Sequence, residues 1–154
     1  MHKDLIKYMP WLISMDCTAH QLNLVTADLL KLKDGYLKTV NTAIDVIKWF
    51  NNHSRALGLL CKEQLQTYQK TLSLIQPCIT RWTCHFLSSQ WLLETSGALC
   101  SCCIKEEKQL ITCAGERQQD KSKVQTIIRI VSDTTFWDDI TMYVSFLQAM
   151  DSSN

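Results

Sequence analysis

Glycine and proline are scarce in this 154-residue chain, and their scarcity restricts its possible folds more than any other feature. It holds four glycines and two prolines. Tight turns between strands depend on Gly, Pro, Asn and Asp for their backbone conformations. No proline lies between Pro10 and Pro77, and none follows Pro77. We therefore predict a mainly α fold with six or seven helices and at most one short strand.

The same scarcity excludes two classes of protein. The glycines are too far apart for a phosphate-binding loop of either nucleotide-binding type; they are Gly35, Gly58, Gly97 and Gly115. The longest apolar run, residues 56–61, is far shorter than the roughly 18–20 residues that a membrane span needs. Pro10 and Asp16 interrupt the apolar stretch near the N-terminus, so we expect neither a secretory signal nor a membrane partner.

The chain holds eight cysteines, an even number that would suit a disulfide-rich secreted domain. Hydrophobic residues make up 46% of the sequence, which is enough for a core without disulfide bridges. Since no secretory signal is expected either, we predict an intracellular, reducing location, in the nucleus or the cytoplasm. Cys61 lies in an apolar run and is predicted to pack in the core as a small hydrophobic residue.

Hydrophobic spacing predicts the positions of the helices. Residues 11–15 form the only predicted strand, since they are few, apolar and preceded by proline. Helical spacing begins at residue 20 and predicts helices over residues 20–33, 36–50 and 55–75. A fourth predicted helix starts after Thr80, and its apolar face carries Leu87, Trp91, Thr95 and Ala98. Residues 116–123 are predicted to be an exposed loop or frayed helix. A short helix around residues 124–131 and a last helix over 136–147 come after it. Ser54, Thr80 and the pair at 132–133 are candidate helix caps.

The spacing also predicts which residues face the core. In the helix at 36–50 they are Tyr36, Val40, Ala43, Ile47 and Phe50. In the helix at 55–75 they are Leu57, Cys61, Leu65, Tyr68, Leu72 and Ile75. In the short helix they are Val124, Ile127, Ile128 and Val131, and in the last helix Phe136, Ile140, Tyr143 and Leu147.

Charge is nearly balanced and unevenly distributed. The formal net charge is +1, with nine Lys and Arg against six Asp and Glu in residues 1–77, and seven against nine in residues 78–154. Neither part is the basic block typical of a free-standing nucleic-acid-binding domain. Any DNA binding by this chain alone is therefore expected to be weak.

Two short segments contain residues that can carry chemistry. Cys17 and His20 are three residues apart, so on a helix they share one face and can bind a metal together, or act as a thiol and its base. A zinc site would need two more ligands, from residues 84–85 or 100–103, and a thiol site would need an orienting carboxylate. The simpler interpretation is packing and hydrogen bonding where the helix begins.

The second segment is Thr80-Arg81-Trp82. A guanidinium binds phosphate and an indole stacks on an unpaired base, so the pair suits nucleic acid. The alternative is a tryptophan that anchors its helix in the core, with the arginine extended toward solvent. The pair Phe136-Trp137 is predicted to lie in the core.

Three segments together resemble one protein family. Residues 17–24 read Cys-Thr-Ala-His-Gln-Leu-Asn-Leu and resemble the Cys-x-x-His-x-x-Asn-Leu segment of hAT-superfamily transposases and their domesticated relatives. Thr80-Arg81-Trp82 resembles the Thr-Arg-Trp of that family's all-helical insertion domain, and Phe136-Trp137 resembles a later Phe-Trp segment. The three occur in the family's order, and the resemblance extends over residues 1 to about 150.

The resemblance implies a division of the chain. Residues 1–34 would be a strand and helix left from a ribonuclease-H-like core, 35–150 the helical insertion domain, and 151–154 a disordered tail. Cys17 and His20 would lie beside the active site near the DNA backbone. Arg81 and Trp82 would lie where a flipped base at the transposon end is stabilised.

The resemblance also implies a lack of catalysis. In the family an Asp-Asp-Glu triad holds divalent metal, usually Mg²⁺, and transfers DNA strands. By resemblance the triad falls outside this sequence, so we expect no catalytic residue, no metal ligand and no cofactor in it. The expected function is that of a truncated transposase-like protein that contacts DNA weakly and is able to self-associate. The alternative is a helical protein-interaction module without a DNA role.

Overall fold

Seven helices make up the described part of the chain. The computed structural model describes residues 34–77 and 82–151. The helices are α1 (Asp34–Asn52), α2 (Ser54–Tyr68), α3 (Trp82–Glu94), α4 (Ser96–Lys105), α5 (Glu107–Cys113), α6 (Gln118–Ser132) and α7 (Thr134–Asp151). These two stretches contain no strand, which confirms the mainly α prediction. The strand predicted at 11–15 and the helix predicted at 20–33 lie outside the described residues.

Helix α1 lies at the centre of the packing. It contacts α2, α3, α6 and α7, while α4 packs against α2, α3, α5 and α6. The buried apolar side chains of these helices form one core cluster. None of the helices in the two described stretches is long and apolar enough to cross a membrane.

The predicted inward face of α1 is confirmed over its described side chains. Those at 40, 43, 47 and 50 are all buried. Trp49 is buried too, although the spacing did not indicate it, and its ring meets Phe50 edge-on with centroids 5.0 Å apart. On its other side Trp49 stacks on His53 at 4.6 Å. Two aromatic contacts thus draw the end of α1 into the core.

Leu57 and Tyr68 are half-buried and pack against the core as predicted, whereas the helix predicted over 55–75 is wrong in extent. It begins at Ser54, with His53 rather than Ser54 in the cap position, and it ends at Tyr68. Gln69 then takes a left-handed conformation with φ of 57°, and its N–H donates to the Leu65 carbonyl. The chain from 71 to 77 is not helical.

The inward face of α2 differs from the prediction because it is partly polar. Its buried residues are Ala56, Leu60, Glu63 and Gln64. Leu65, predicted inward, is 53% exposed. Cys61, predicted in the core, is half-buried and lies outside the core cluster. The Glu63 carboxylate and the Gln64 amide form hydrogen bonds with other elements, and α2 is oriented with both side chains buried.

A break at Thr95 divides the helix predicted after Thr80 into α3 and α4. Of its predicted inward residues, Thr95 and Ala98 are buried, Trp91 is half-buried, and Leu87 is 45% exposed. Near the start of α4 the Tyr68 hydroxyl accepts a hydrogen bond from the Ala98 N–H at 3.1 Å. A Cβ at Gly97 would lie 2.9 Å from that hydroxyl oxygen, so a larger residue there would displace the end of the Tyr68 side chain.

The C-terminal helices bury the predicted residues, but α6 is longer than predicted, because it begins at Gln118, inside the exposed segment predicted at 116–123. All four predicted residues of α7 are buried, as are Val124, Ile127 and Val131 of α6, and Ile128 is half-buried. Asp133 caps α7, since its carboxylate accepts the Thr135 N–H at 3.0 Å. Trp137 is half-buried and donates its indole N–H to the Val131 carbonyl at 2.8 Å. The core role predicted for Phe136-Trp137 is confirmed, and Asp151 is helical rather than part of a tail.

Candidate nucleic-acid interface

The four residues predicted to contact DNA lie at or beyond the edges of the described stretches. Cys17, His20 and Arg81 are outside the described residues. Trp82 is the first residue of α3, and the structure describes its backbone only. The described side chains nearest to the Thr-Arg-Trp segment in sequence are those at 69–77 before it and from 84 onward after it.

The chain that leads to this segment is held by side-chain hydrogen bonds. We call residues 69–77 the connecting segment. The amide of Gln64, which is fully buried, donates to the Leu72 carbonyl at 2.9 Å and accepts the Leu72 N–H at 3.0 Å. Both backbone groups of Leu72 are thus paired by one side chain, as a neighbouring strand would pair them.

Two further bonds hold the connecting segment to other helices. Asn51 of α1 donates to the Leu74 carbonyl at 3.0 Å, and Ser88 of α3 donates to the Ile75 carbonyl at 2.6 Å. The Leu74 side chain is buried in the core, and Pro77 is buried as well. Helices α1, α2 and α3 therefore each hold the backbone just before residues 78–81.

A cleft of about 430 Å³ lies between α1, the connecting segment and α3, and we call it the α1–α3 cleft. Its lining residues are Asn41, Ile44, Asp45, Lys48, Gln76, Pro77 and His85. The four from α1 have helical spacing and form one stripe. Two lining residues of the cleft flank the Thr-Arg-Trp segment in sequence. Pro77 precedes the segment, and His85 follows it by less than one helical turn.

The α1–α3 cleft combines a shielded apolar part with a polar rim. Pro77 is buried and Ile44 is half-buried, whereas the amides, the carboxylate and the ammonium group are on exposed residues. Its lining includes the ammonium of Lys48 and the carboxylate of Asp45. The cleft thus offers hydrogen-bond donors and acceptors around an apolar surface. Sequence reasoning missed it, since its residues come from three separate segments.

A second opening, of about 630 Å³, lies where α1, α6 and α7 meet. Its charged lining residues are Lys38, Arg129, Asp133 and Asp139, with four threonines among the others. Asp133 is already engaged in capping α7. Two cations are balanced by two carboxylates, so this opening is not a basic surface.

The cysteines of the described stretches give no support to a metal or thiol site. All six there are unpaired: Cys61, Cys84, Cys100, Cys102, Cys103 and Cys113. Burial raises the pKa of the Cys102 and Cys103 thiols to about 12, which keeps them protonated. Over residues 34–77 and 82–151 no three metal-ligating side chains come together. A site that also uses Cys17 and His20 stays a prediction.

A buried carboxylate joins α2 to α4, and nothing in the sequence pattern indicated it. Glu63 is only 6% exposed. Its Oε1 atom accepts hydrogen bonds from the Lys105 ammonium at 2.6 Å and the Ser101 hydroxyl at 2.5 Å. The bond from Lys105, followed by that from Ser101, holds the pKa of Glu63 below its usual value, although burial opposes this.

This cluster predicts a pH-dependent effect of Lys105→Met. Because the folded-state pKa of Glu63 is lowered, its contribution to stability is full above the unfolded pKa of about 4.3 and is lost as pH falls through the folded value. The variant leaves the carboxylate without its cation, so we expect a lower melting temperature near pH 7. That difference from wild type should shrink in acid, where Glu63 is protonated.

Melting curves from pH 7 to pH 3 measure this effect. Lys108→Met is the matched control, since Lys108 is exposed on the neighbouring helix α5 and outside the cluster. The control should melt like the wild type at every pH. A Lys105→Met deficit of constant size across the range would show that Glu63 does not depend on Lys105.

No family model, no curated protein and no solved structure matches this chain. Over the described residues the chain is an all-helical bundle with a cleft between α1 and α3 whose rim is polar.

Proposed function

We propose that this chain is an hAT-type transposase-like protein that binds DNA weakly through Arg81 and Trp82 and does not transfer strands. One observation carries the proposal. Trp82 is the first residue of α3, and the backbone at Leu72, Leu74 and Ile75, which precedes the Thr-Arg-Trp segment in sequence, is hydrogen-bonded to side chains of three helices. A stacking residue is effective when its position is fixed before the ligand arrives, since less freedom is then lost on binding.

The chemistry of the segment favours an unpaired base over duplex DNA. Stacking on an aromatic ring contributes roughly 1–3 kcal/mol per base, and every base has a face to stack. The arginine supplies a bidentate contact to phosphate. In both described openings the cations are equal in number to the carboxylates, so these surfaces add little to the nonspecific attraction between basic proteins and duplex DNA.

Replacing Trp82 tests the proposal. Trp82→Ala should lower the affinity for DNA with one unpaired base about tenfold, which corresponds to 1.4 kcal/mol of lost stacking. Trp82→Phe, which keeps an aromatic face, should retain most of it. The measurement is a fluorescence-anisotropy titration at a stated low salt concentration, beside thermal melts of both variants.

The thermal melts show whether Trp82 stacks on DNA or anchors α3 in the core. Truncating a core tryptophan costs about 3–5 kcal/mol of stability, so Trp82→Ala would then melt much earlier. A large melting drop with unchanged affinity in the folded protein would reject the DNA role. Strand transfer is tested by incubating the protein and duplex DNA with Mg²⁺ or Mn²⁺; cleavage that copurifies with the chain would contradict the proposed inactivity.

The second candidate function is a helical protein-interaction module. The observation that favours it is on α7, where Met142 is 54% exposed and Phe146, one turn on, is 38% exposed. Two large apolar side chains on one helix face suit contact with a partner helix. If this is the function, Met142→Asp should abolish association with a partner or with a second copy, and DNA affinity should be negligible.

A further inference from the structure

We propose that Ser88 is a positioning residue for Trp82, because its hydrogen bond to the Ile75 carbonyl fixes the start of α3 before DNA binds. The inference rests on the proposed function and adds to it a residue that acts on DNA affinity through Trp82 rather than by touching DNA. The Ser88 hydroxyl lies 2.6 Å from the Ile75 oxygen, and Ser88 is only 2% exposed. Water therefore competes little for this bond.

The hydrogen bond of Ser88 differs from those of other hydroxyl groups in the described helices. A hydroxyl inside a helix commonly bonds the backbone of its own helix. Six of them donate to the carbonyl four residues earlier, and they are those of Thr42, Thr67, Thr112, Thr126, Ser132 and Thr141. Ser88 instead donates to the connecting segment, thirteen residues back in sequence. Its hydroxyl thus joins α3 to another part of the chain.

The start of α3 has few other means of support among the described residues. An α-helix leaves its first four N–H groups without partners inside the helix. The first turn of α3 carries no acidic residue to offset the positive end of the helix dipole. Residues 84–86 are half-buried and Leu87 is exposed, so Ser88 is the first described side chain of α3 that is buried. It follows Trp82 by six residues, which is about 9 Å along the helix axis.

The acceptor of this bond belongs to a backbone that is itself held in place. Leu74, which precedes Ile75, is buried in the core, and its carbonyl accepts a hydrogen bond from Asn51 of α1. Ser88 therefore attaches the start of α3 to a backbone that α1 already holds. Apparent affinity falls in proportion to the fraction of molecules in the binding-competent arrangement. Loss of the Ser88 bond would lower that fraction without removing any contact to DNA.

Ser88→Ala tests the inference in a fluorescence-anisotropy titration of the full chain with a hairpin that carries one unpaired thymine. We expect about fivefold weaker binding, which is within the range that one lost hydrogen bond produces. The slope of log affinity against log salt should stay unchanged, because no phosphate contact is lost. Ser88→Cys, with a similar volume and a weaker donor, should show a smaller loss of the same kind. Ser89→Ala is the matched control, since Ser89 is the adjacent serine and is only 4% exposed.

A double variant shows whether Ser88 acts through Trp82. If it does, Ser88→Ala should have little further effect on affinity in a chain that already carries Trp82→Ala. A role in stability alone would not produce this dependence on Trp82. Amide hydrogen exchange over residues 84–87 should also be faster in Ser88→Ala than in the wild type or in Ser89→Ala.

The outcomes distinguish this inference from the proposed function. Weaker binding with Trp82→Ala but not with Ser88→Ala would overturn the inference and leave the proposed function standing. Losses that add in the double variant would also overturn the inference, because Ser88 would then act independently of Trp82. If Trp82→Ala binds the hairpin as the wild type does, the proposed function fails, and the inference fails with it.

Discussion

Leu60→Ala is expected to lower the free energy of unfolding by about 2–5 kcal/mol, whereas Leu65→Ala, further along the same helix, should cost less than about 1 kcal/mol. Leu60 is completely buried, so its truncation removes apolar contacts and leaves a cavity in the core. Leu65 is 53% exposed, so its truncation mainly removes surface that water already covers. The two variants share residue type and helix, and differ only in the direction they face.

Urea denaturation of both variants measures the difference. Hydrophobic spacing alone favours the opposite result, because it directs Leu65 inward. Equal losses for the two variants, or a larger loss for Leu65→Ala, would show that α2 is turned the other way from the described orientation. Unchanged slopes of free energy against urea would confirm that the unfolded states are comparable.

Gln64→Leu is expected to cost about 1–3 kcal/mol, since it leaves both part-buried backbone groups of Leu72 without the amide that pairs them. Leucine keeps most of the side-chain volume, so the loss reflects hydrogen bonding more than a cavity. Gln66→Leu is the matched control, because Gln66 lies on the exposed face of the same helix.

Two measurements check this prediction. Chemical denaturation should show a large loss for Gln64→Leu and one within about 0.5 kcal/mol for Gln66→Leu. Hydrogen exchange at the Leu72 amide should accelerate in Gln64→Leu, because its acceptor is gone. If exchange at Leu72 is already fast in the wild type, the connecting segment is not held by Gln64.

The prediction from sequence was most accurate where a helix has one continuous apolar stripe. The buried positions of α7 and the described part of α1 follow the 3.6-residue period, and one stripe leaves a single way to cover the apolar surface. It was wrong for part of α2, where Leu57, Cys61 and Leu65 give an equally regular stripe but only Leu57 packs against the core. There the deciding partner of Glu63 is Lys105, on a helix far along the chain, and no local pattern contains it.

The candidate site likewise has a part that the sequence predicts and a part that depends on the tertiary structure. The sequence by itself determined that the chain is mainly helical, because so few residues can make tight turns, and it singled out Thr80-Arg81-Trp82 as a local motif. Only the tertiary structure decided that Asn41, Lys48 and His85 line one cleft with Pro77. A motif of consecutive residues is visible in the sequence itself. A cleft depends on how α1 and α3 pack, and that packing is set by buried contacts between residues distant in sequence.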